Sequence, residues 1–169
     1  MAVVGVSLPS TATVGHGDGR SKASLGMRAL SVLGFFMMAG GIAALVVTRT
    51  LVSHSLAAIS LQVVAVALLV WARRAFGRRS FHLRADPTDG GLVTTGPYRL
   101  IRHPIYTAVC LFVWASALGS PSVRTVVIAL VVTTGAVVRI VCEEHLLVQR
   151  YPEYLAYSRE TKRMVPFIF

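Results

Sequence analysis

Acidic residues are scarce in this chain: seven Asp and Glu stand among 169 residues, against seventeen Lys and Arg. Charge of either sign makes up only 14% of the sequence, while 54% is hydrophobic and the mean hydropathy is +0.66. So little charge, with the apolar residues gathered in long blocks, excludes an ordinary soluble domain and indicates an integral membrane protein. The length fits one domain. The two cysteines, Cys110 and Cys142, sit inside apolar blocks without disulfide-framework or metal-ligand spacing, and read as small buried hydrophobes. No zinc-ligand spacing, P-loop, GxGxxG or GxSxG string occurs. Metal hydrolysis, Walker-type nucleotide binding, a Rossmann cofactor site and an α/β-hydrolase elbow therefore lack support. No positive n-region precedes the short apolar start, which argues against a cleaved signal peptide. A net charge of +10 would suggest nucleic acid in a soluble chain. Here the positive charge collects between apolar blocks, where the positive-inside rule puts it, and no nucleic-acid partner is expected.

What is present is four apolar blocks. Residues 1–26, rich in Gly, Ser, Thr and Val, read as a flexible tail. Residues 29–48 carry no charge, and a helix of about 20 residues spans the bilayer core. After Arg49 and a tight turn containing His54, read as a turn residue, the second block covers 56–72. Seven arginines (73, 74, 78, 79, 84, 99 and 102) then crowd the segment up to His103, against Asp86 and Asp89 alone. In it, Asp86-Pro87-Thr88-Asp89-Gly90-Gly91 is a turn cluster, and Leu92-Val93-Thr94-Thr95 reads as an extended segment packed on the protein. A loop of this length and pattern is functional rather than a mere connector. The third block, 105–118, is short for a span; the fourth covers 126–142. Residues 143–163 are charged, aromatic and helix-compatible with a break at Pro152, and Pro166-Phe167-Ile168-Phe169 forms an apolar, interface-seeking end. The expected fold is an all-α integral membrane protein of about four transmembrane helices with a C-terminal cytoplasmic amphipathic helix. Residues 27–169 form one membrane domain. The three basic segments place both termini and the 73–103 loop in the cytoplasm.

Chemistry concentrates in Gly96-Pro97-Tyr98-Arg99-Leu100-Ile101-Arg102-His103-Pro104-Ile105-Tyr106. Pro104 suits the first turn of a helix, where its missing N–H has no partner to lose, so His103 stands at a loop–helix junction. Taken singly, Tyr98 or Arg99 is equally an interfacial anchor. Arg139 and Glu143, four apart, share a helix face; Glu144 points elsewhere, with His145 next to it. A solvated intrahelical ion pair is the plain alternative. Because a short turn joins the third and fourth spans, they pack antiparallel. His103 and Tyr106 then meet Arg139 and Glu143. A pocket of that make-up suits a zwitterionic ligand with a flat ring, Glu143 taking an ammonium or ribose hydroxyls, and His103 or Arg102 a carboxylate.

These strings, with Leu92-Val93-Thr94-Thr95-Gly96-Pro97-Tyr98, Arg102-His103-Pro104-Ile105-Tyr106 and Arg139 followed by Glu143-Glu144 in that order, resemble the isoprenylcysteine carboxyl methyltransferase family. Phospholipid methyltransferases carry a related pattern. Tyr154-Leu155-Ala156-Tyr157 and the closing Pro166 are also similar, and the resemblance covers roughly residues 85–169. It implies a membrane methyltransferase whose C-terminal half binds S-adenosylmethionine (SAM). Leu92, Val93, Tyr98, His103, Pro104, Ile105, Tyr106, Glu143 and Glu144 would line the cofactor site. Arg139 would position a lipophilic or lipidated acceptor: the carboxylate of a prenylated cysteine, or a related thiol or amine. Where eukaryotic members have polar residues this chain has Gly90-Gly91; Thr107 stands where a glycine often follows, and Ser120-Pro121 replaces Asn-Pro. The first two spans show no signature. An NADPH-dependent sterol-type membrane reductase and a non-catalytic membrane protein are the alternatives.

Overall fold

A computed structural model describes residues 17–77 and 92–165. The first sixteen residues, the turn cluster at 86–91 and the closing Pro-Phe-Ile-Phe lie outside the described residues. The described residues form five α-helices: α1 (Gly17–Val47), α2 (Leu56–Phe76), α3 (Pro104–Gly119), α4 (Val123–Arg150) and α5 (Tyr154–Glu160). A 3-10 turn, Gly96–Arg99, precedes α3. Among the described residues there is no strand, only one isolated parallel bridge between Ile101 and Lys162. Leu25–Val47, α2 and α4 are each long and apolar enough to cross a bilayer, and α3 is a shorter apolar helix. This is the all-helical, multi-pass membrane protein that the hydropathy blocks predict.

Two boundaries differ from the sequence reading. The tail expected to run to residue 26 gives way to helix at Gly17. Once the apolar span is helical, each residue added upstream gains a hydrogen bond without a new nucleation cost. At the other end, α4 continues past the fourth block to Arg150, so Glu143 and Glu144 stand on the same continuous helix as Arg139.

The connection between α3 and α4 is tight for a local reason. Ser122 Oγ accepts from the Thr125 N–H at 3.1 Å while Thr125 Oγ1 accepts from the Ser122 N–H at 3.1 Å, a reciprocal cap that starts α4 within three residues of the end of α3. At the same end of the bundle, Gln62 of α2 ties the neighbouring turn down. Its Nε2 donates to Leu51 O (2.8 Å) and Ser116 Oγ (3.0 Å), and its Oε1 accepts from the Ser53 N–H (3.3 Å). Every polar atom of this buried amide is used, which is what an apolar surrounding demands.

Helix pairing is set by small residues. Along α1 and α4, Gly34 and Gly135 meet so closely that a Cβ on either would lie 2.7 Å from the other's carbonyl oxygen. Gly41 abuts Val132 in the same seam. Lipid tails are as apolar as leucine, so close backbone approach, not hydrophobicity, selects which membrane helices touch. α2 packs along α3 by the same device, Gly119 against Ser53 and Ala58. Met38, Leu45, Val113, Val132, Ala136 and Ile140 form the core where the two pairs meet. Leu33, Phe36, Val63, Val64, Trp71, Val127 and Leu130 are exposed, an outer surface suited to lipid. A cavity of about 230 Å³, walled by apolar side chains including Ile42, Leu69, Val109 and Phe112, lies between α1, α2 and α3.

Candidate functional site

The residues singled out above gather at the end of the bundle opposite the α3–α4 turn. Gly96 adopts φ +61°, a left-handed backbone, and a Cβ there would sit 2.9 Å from that of Ala75. Only glycine serves both needs. The turn it starts lays the Tyr98 ring 5.6 Å from Phe76 and buries Tyr98 and Pro97. Leu92 and Val93, half-buried, lead into this turn without regular structure. Pro104 occupies the first turn of α3 with His103 as its cap residue, and both are buried; Ile105 is half-buried beside them.

Two carboxylates divide the cluster between them. Glu143 Oε1 accepts from the Tyr106 hydroxyl in a short hydrogen bond and from Arg139 Nη2 at 3.2 Å. Its Oε2 lies 3.9 Å from His103 Nδ1. Glu144 Oε1 accepts from Arg102 Nε at 3.0 Å and lies 3.3 Å from His103 Nε2, and its Oε2 accepts from Arg163 Nε at 2.9 Å. The imidazole therefore stands between the two carboxylates. Glu143 keeps 22% of its side chain exposed, against 13% for Glu144 and 4% for His103. Glu143 is thus the more accessible of the two acceptors.

Arg139 is held from several directions. Nε donates to the Tyr106 hydroxyl at 2.7 Å, Nη1 to the Ser31 carbonyl at 3.3 Å, and Nη2 to Glu143. Its guanidinium lies 5.6 Å from the Phe35 ring and 5.9 Å from the Tyr106 ring. Such cation–π contacts favour a desolvated arginine.

Arg102, expected to meet a ligand carboxylate, is engaged within the protein instead. Besides Glu144, its Nη1 donates to the carbonyls of Ser158 (2.7 Å) and Thr161, the latter a short bond. It belongs to a strap that fastens the C-terminal segment over the motif. The Arg102 N–H donates to Lys162 O at 2.7 Å and the His103 N–H to Arg163 O at 3.0 Å. Thr107 Oγ1, at the position where glycine was expected, donates to Met164 O at 2.9 Å. Tyr157 of α5 donates its hydroxyl to the Tyr98 carbonyl at 2.7 Å. Burial holds the Tyr98 phenol above its ordinary range and pushes Tyr157 up to about 12.

Sequence reasoning brings together His103, Tyr106, Arg139 and Glu143 correctly as neighbours. It misses Ser31 and Phe35, which lie on a helix more than a hundred residues from Arg139 and carry no motif. It also misses Arg163 and Thr107 as anchors, for which the basic cluster at 159–163 is a faint signal. His54 is exposed in its turn, as read, and His145 pairs with Gln149 on the exposed surface at 2.9 Å. Among the described residues no group of three or more His, Cys, Asp or Glu is placed to hold a metal ion.

The profile of the phospholipid methyltransferase family matches residues 52–154, more than half of the chain and the whole of the region just described except α1 and the strap partners at 157–164. Two curated bacterial proteins are similar over a shorter stretch. The nickel-cobalt-cadmium resistance protein NccN of Alcaligenes xylosoxydans xylosoxydans is 39% identical over 80 residues, 44% of this chain and 36% of that protein. The cobalt-zinc-cadmium resistance protein CzcN of Cupriavidus metallidurans is 35% identical over 78 residues, 44% of this chain and 35% of its own length. The match thus spans about a third of each relative. No solved structure matches this chain.

Proposed function

We propose, from the premise that this chain belongs to the phospholipid methyltransferase family, that it transfers a methyl group from SAM to a membrane-delivered acceptor. The observation that carries the proposal is the Glu143 carboxylate, the accessible acidic group of a cluster that also offers imidazole and phenol. A SAM molecule presents an ammonium, ribose hydroxyls, a carboxylate and a flat adenine. Glu143 fits the ammonium or the hydroxyls, His103 the carboxylate, and Tyr98, Tyr106, Leu92, Val93, Pro104 and Ile105 offer apolar and aromatic walls. When bound, SAM supplies a methyl already activated on a sulfonium. What remains for the protein is to align the acceptor and exclude water. Glu144 serves the pocket by holding Arg102, His103 and Arg163 around it. The cofactor-binding part is the stretch from about 85 to 169.

Arg139 positions the acceptor. It sits one turn nearer the bilayer than Glu143, and a bidentate guanidinium suits a carboxylate acceptor such as that of a prenylated cysteine; thiol and amine acceptors are the competing classes. Val109 lies one turn along α3 from Tyr106 and lines the apolar cavity, which would take part of a hydrocarbon tail.

Cofactor binding is tested by calorimetric titration of the purified protein in detergent with SAM and, separately, NADPH. SAM should bind. His103→Ala and Glu143→Ala should each weaken it by roughly 1–3 kcal/mol, the loss of a hydrogen bond to a charged group, and His54→Ala should change nothing. Preference for NADPH would support the reductase alternative, and equal losses at all three positions would indicate general misfolding.

Orientation follows from charge. The site end carries Arg73, Arg74, Arg99, Arg102, Arg150, Arg159, Lys162 and Arg163, the other end Arg49 and Arg124, so the site belongs in the cytoplasm. Thr95 and His54 are both exposed and lie at opposite ends. With Cys110 and Cys142 buried, a membrane-impermeant thiol reagent on intact cells should label His54→Cys and spare Thr95→Cys. Labelling of both would refute the four-span arrangement.

A further inference from the structure

We propose that Ser31 of α1 donates a hydrogen bond to the anionic end of the acceptor beside Arg139, so that α1 takes part in acceptor selection. The inference rests on the methyl-transfer reading of the site but concerns a residue outside the family-matched stretch, which begins at residue 52. Ser31 is the only polar side chain between residues 29 and 47. It is completely buried, and its hydroxyl has no hydrogen-bond partner among the described residues. A helix offers serine an easy remedy in the carbonyl one turn back, and a buried hydroxyl without any partner is destabilising. The residue that carries it is placed at the site. The carbonyl of the same residue accepts from Arg139 Nη1 at 3.3 Å, and Phe35, one turn further along α1, lies 5.6 Å from the guanidinium. Gly34 between them is so close to α4 that a Cβ would stand 3.0 Å from Arg139 Cγ.

The chemistry of the donors indicates an oxyanion. Arg139 Nε is committed to Tyr106 at 2.7 Å, whereas Nη1 and Nη2 make longer bonds of 3.3 and 3.2 Å. Those two can be exchanged for the oxygens of a carboxylate. A carboxylate on one guanidinium edge still has lone pairs to fill, and a hydroxyl donor completes the set.

The test uses the whole protein in detergent with two probes, N-acetyl-S-farnesylcysteine and its methyl ester, read by ligand-induced thermal shift and by titration. S-adenosylhomocysteine serves as the cofactor-side probe. Wild type should prefer the free carboxylate to the ester. Ser31→Ala should melt at or above the wild-type temperature, having lost only an unpartnered hydroxyl, yet bind the carboxylate about tenfold more weakly, as loss of one charge-assisted hydrogen bond implies. Its response to the ester and to S-adenosylhomocysteine should be unchanged, and Ser31→Thr should restore most of the carboxylate affinity. If Ser31→Ala binds the carboxylate as tightly as wild type, or if wild type shows no preference for carboxylate over ester, the proposal is overturned. A wild type that answers to the carboxylate but not to S-adenosylhomocysteine would count against the cofactor reading, and a carboxylate affinity lost in Ser31→Ala would still support Ser31 as part of an anion site.

Discussion

Glu144→Ala should unfasten the C-terminal strap, lower stability by about 3 kcal/mol and abolish measurable SAM binding together with it. The Glu144 carboxylate joins three partners from two separate segments, Arg102 and His103 before α3 and Arg163 after α5. They are not equivalent. Arg163 is 41% exposed, and an ion pair in that setting contributes little. Arg102 and His103 have side chains only 10% and 4% exposed. Removing their common acceptor leaves buried donors unsatisfied, the costly way to break a pair. Arg102 keeps the carbonyls of Ser158 and Thr161, which holds the loss near the lower end of the usual range. The His103 ring, freed on its Glu144 side, would no longer be fixed against Glu143. Thermal unfolding in detergent and protease cleavage after residue 150 measure the first effect, SAM titration the second. Glu144→Gln, which keeps an acceptor but not the charge, should recover part of both. A lower SAM affinity at an unchanged melting temperature would mean that Glu144 touches the cofactor directly. No change in either quantity would remove the strap from the account.

For Arg139→Ala the expected result is a fall of at least about 100-fold in kcat/KM for the acceptor, with SAM affinity close to its original value. A bidentate hold on the acceptor that acts in the transition state is worth roughly 3 kcal/mol, hence the hundredfold. SAM affinity survives because the Arg139–Glu143 bond competes with a cationic ligand for the same carboxylate: Glu143 Oε1 now serves both Arg139 and Tyr106. Without Arg139 it is freer to accept an ammonium. Lysine should rescue only partly, since one ammonium cannot reach Tyr106, the Ser31 carbonyl and Glu143 at once. The competing account is a structural i,i+4 ion pair. It predicts that Arg139→Ala and Glu143→Ala lower the melting temperature in step with activity and couple in a double-mutant cycle on stability. Should Arg139→Ala weaken SAM binding as much as Glu143→Ala in a protein that stays folded, the division of roles between them is wrong.

How far the sequence alone reaches differs from element to element. Four apolar blocks separated by arginine-rich or turn-forming segments determine four hydrophobic helices, because a bilayer leaves an isolated apolar segment no other way to satisfy its backbone. Spacing determines that Arg139 and Glu143 share a face. The three-residue connection at Ser120-Pro121-Ser122 determines that α3 returns along α4, and so that His103 and Tyr106 come to Glu143. Other features belong to the tertiary structure. Helices apolar all round carry no periodicity to say which face turns inward. That α1 lies along α4, bringing Ser31 and Phe35 to Arg139, was decided by the fit of Gly34 and Gly41 against Gly135 and Val132. The adjacent carboxylates Glu143 and Glu144 are chemically identical on paper. Glu144 acquired Arg163 and its place in the strap only when residues 161–164 came to lie against 100–107, a pairing across some sixty residues. Local sequence encodes what a segment becomes; which segment it meets depends on complementary surfaces that exist only once the helices are packed.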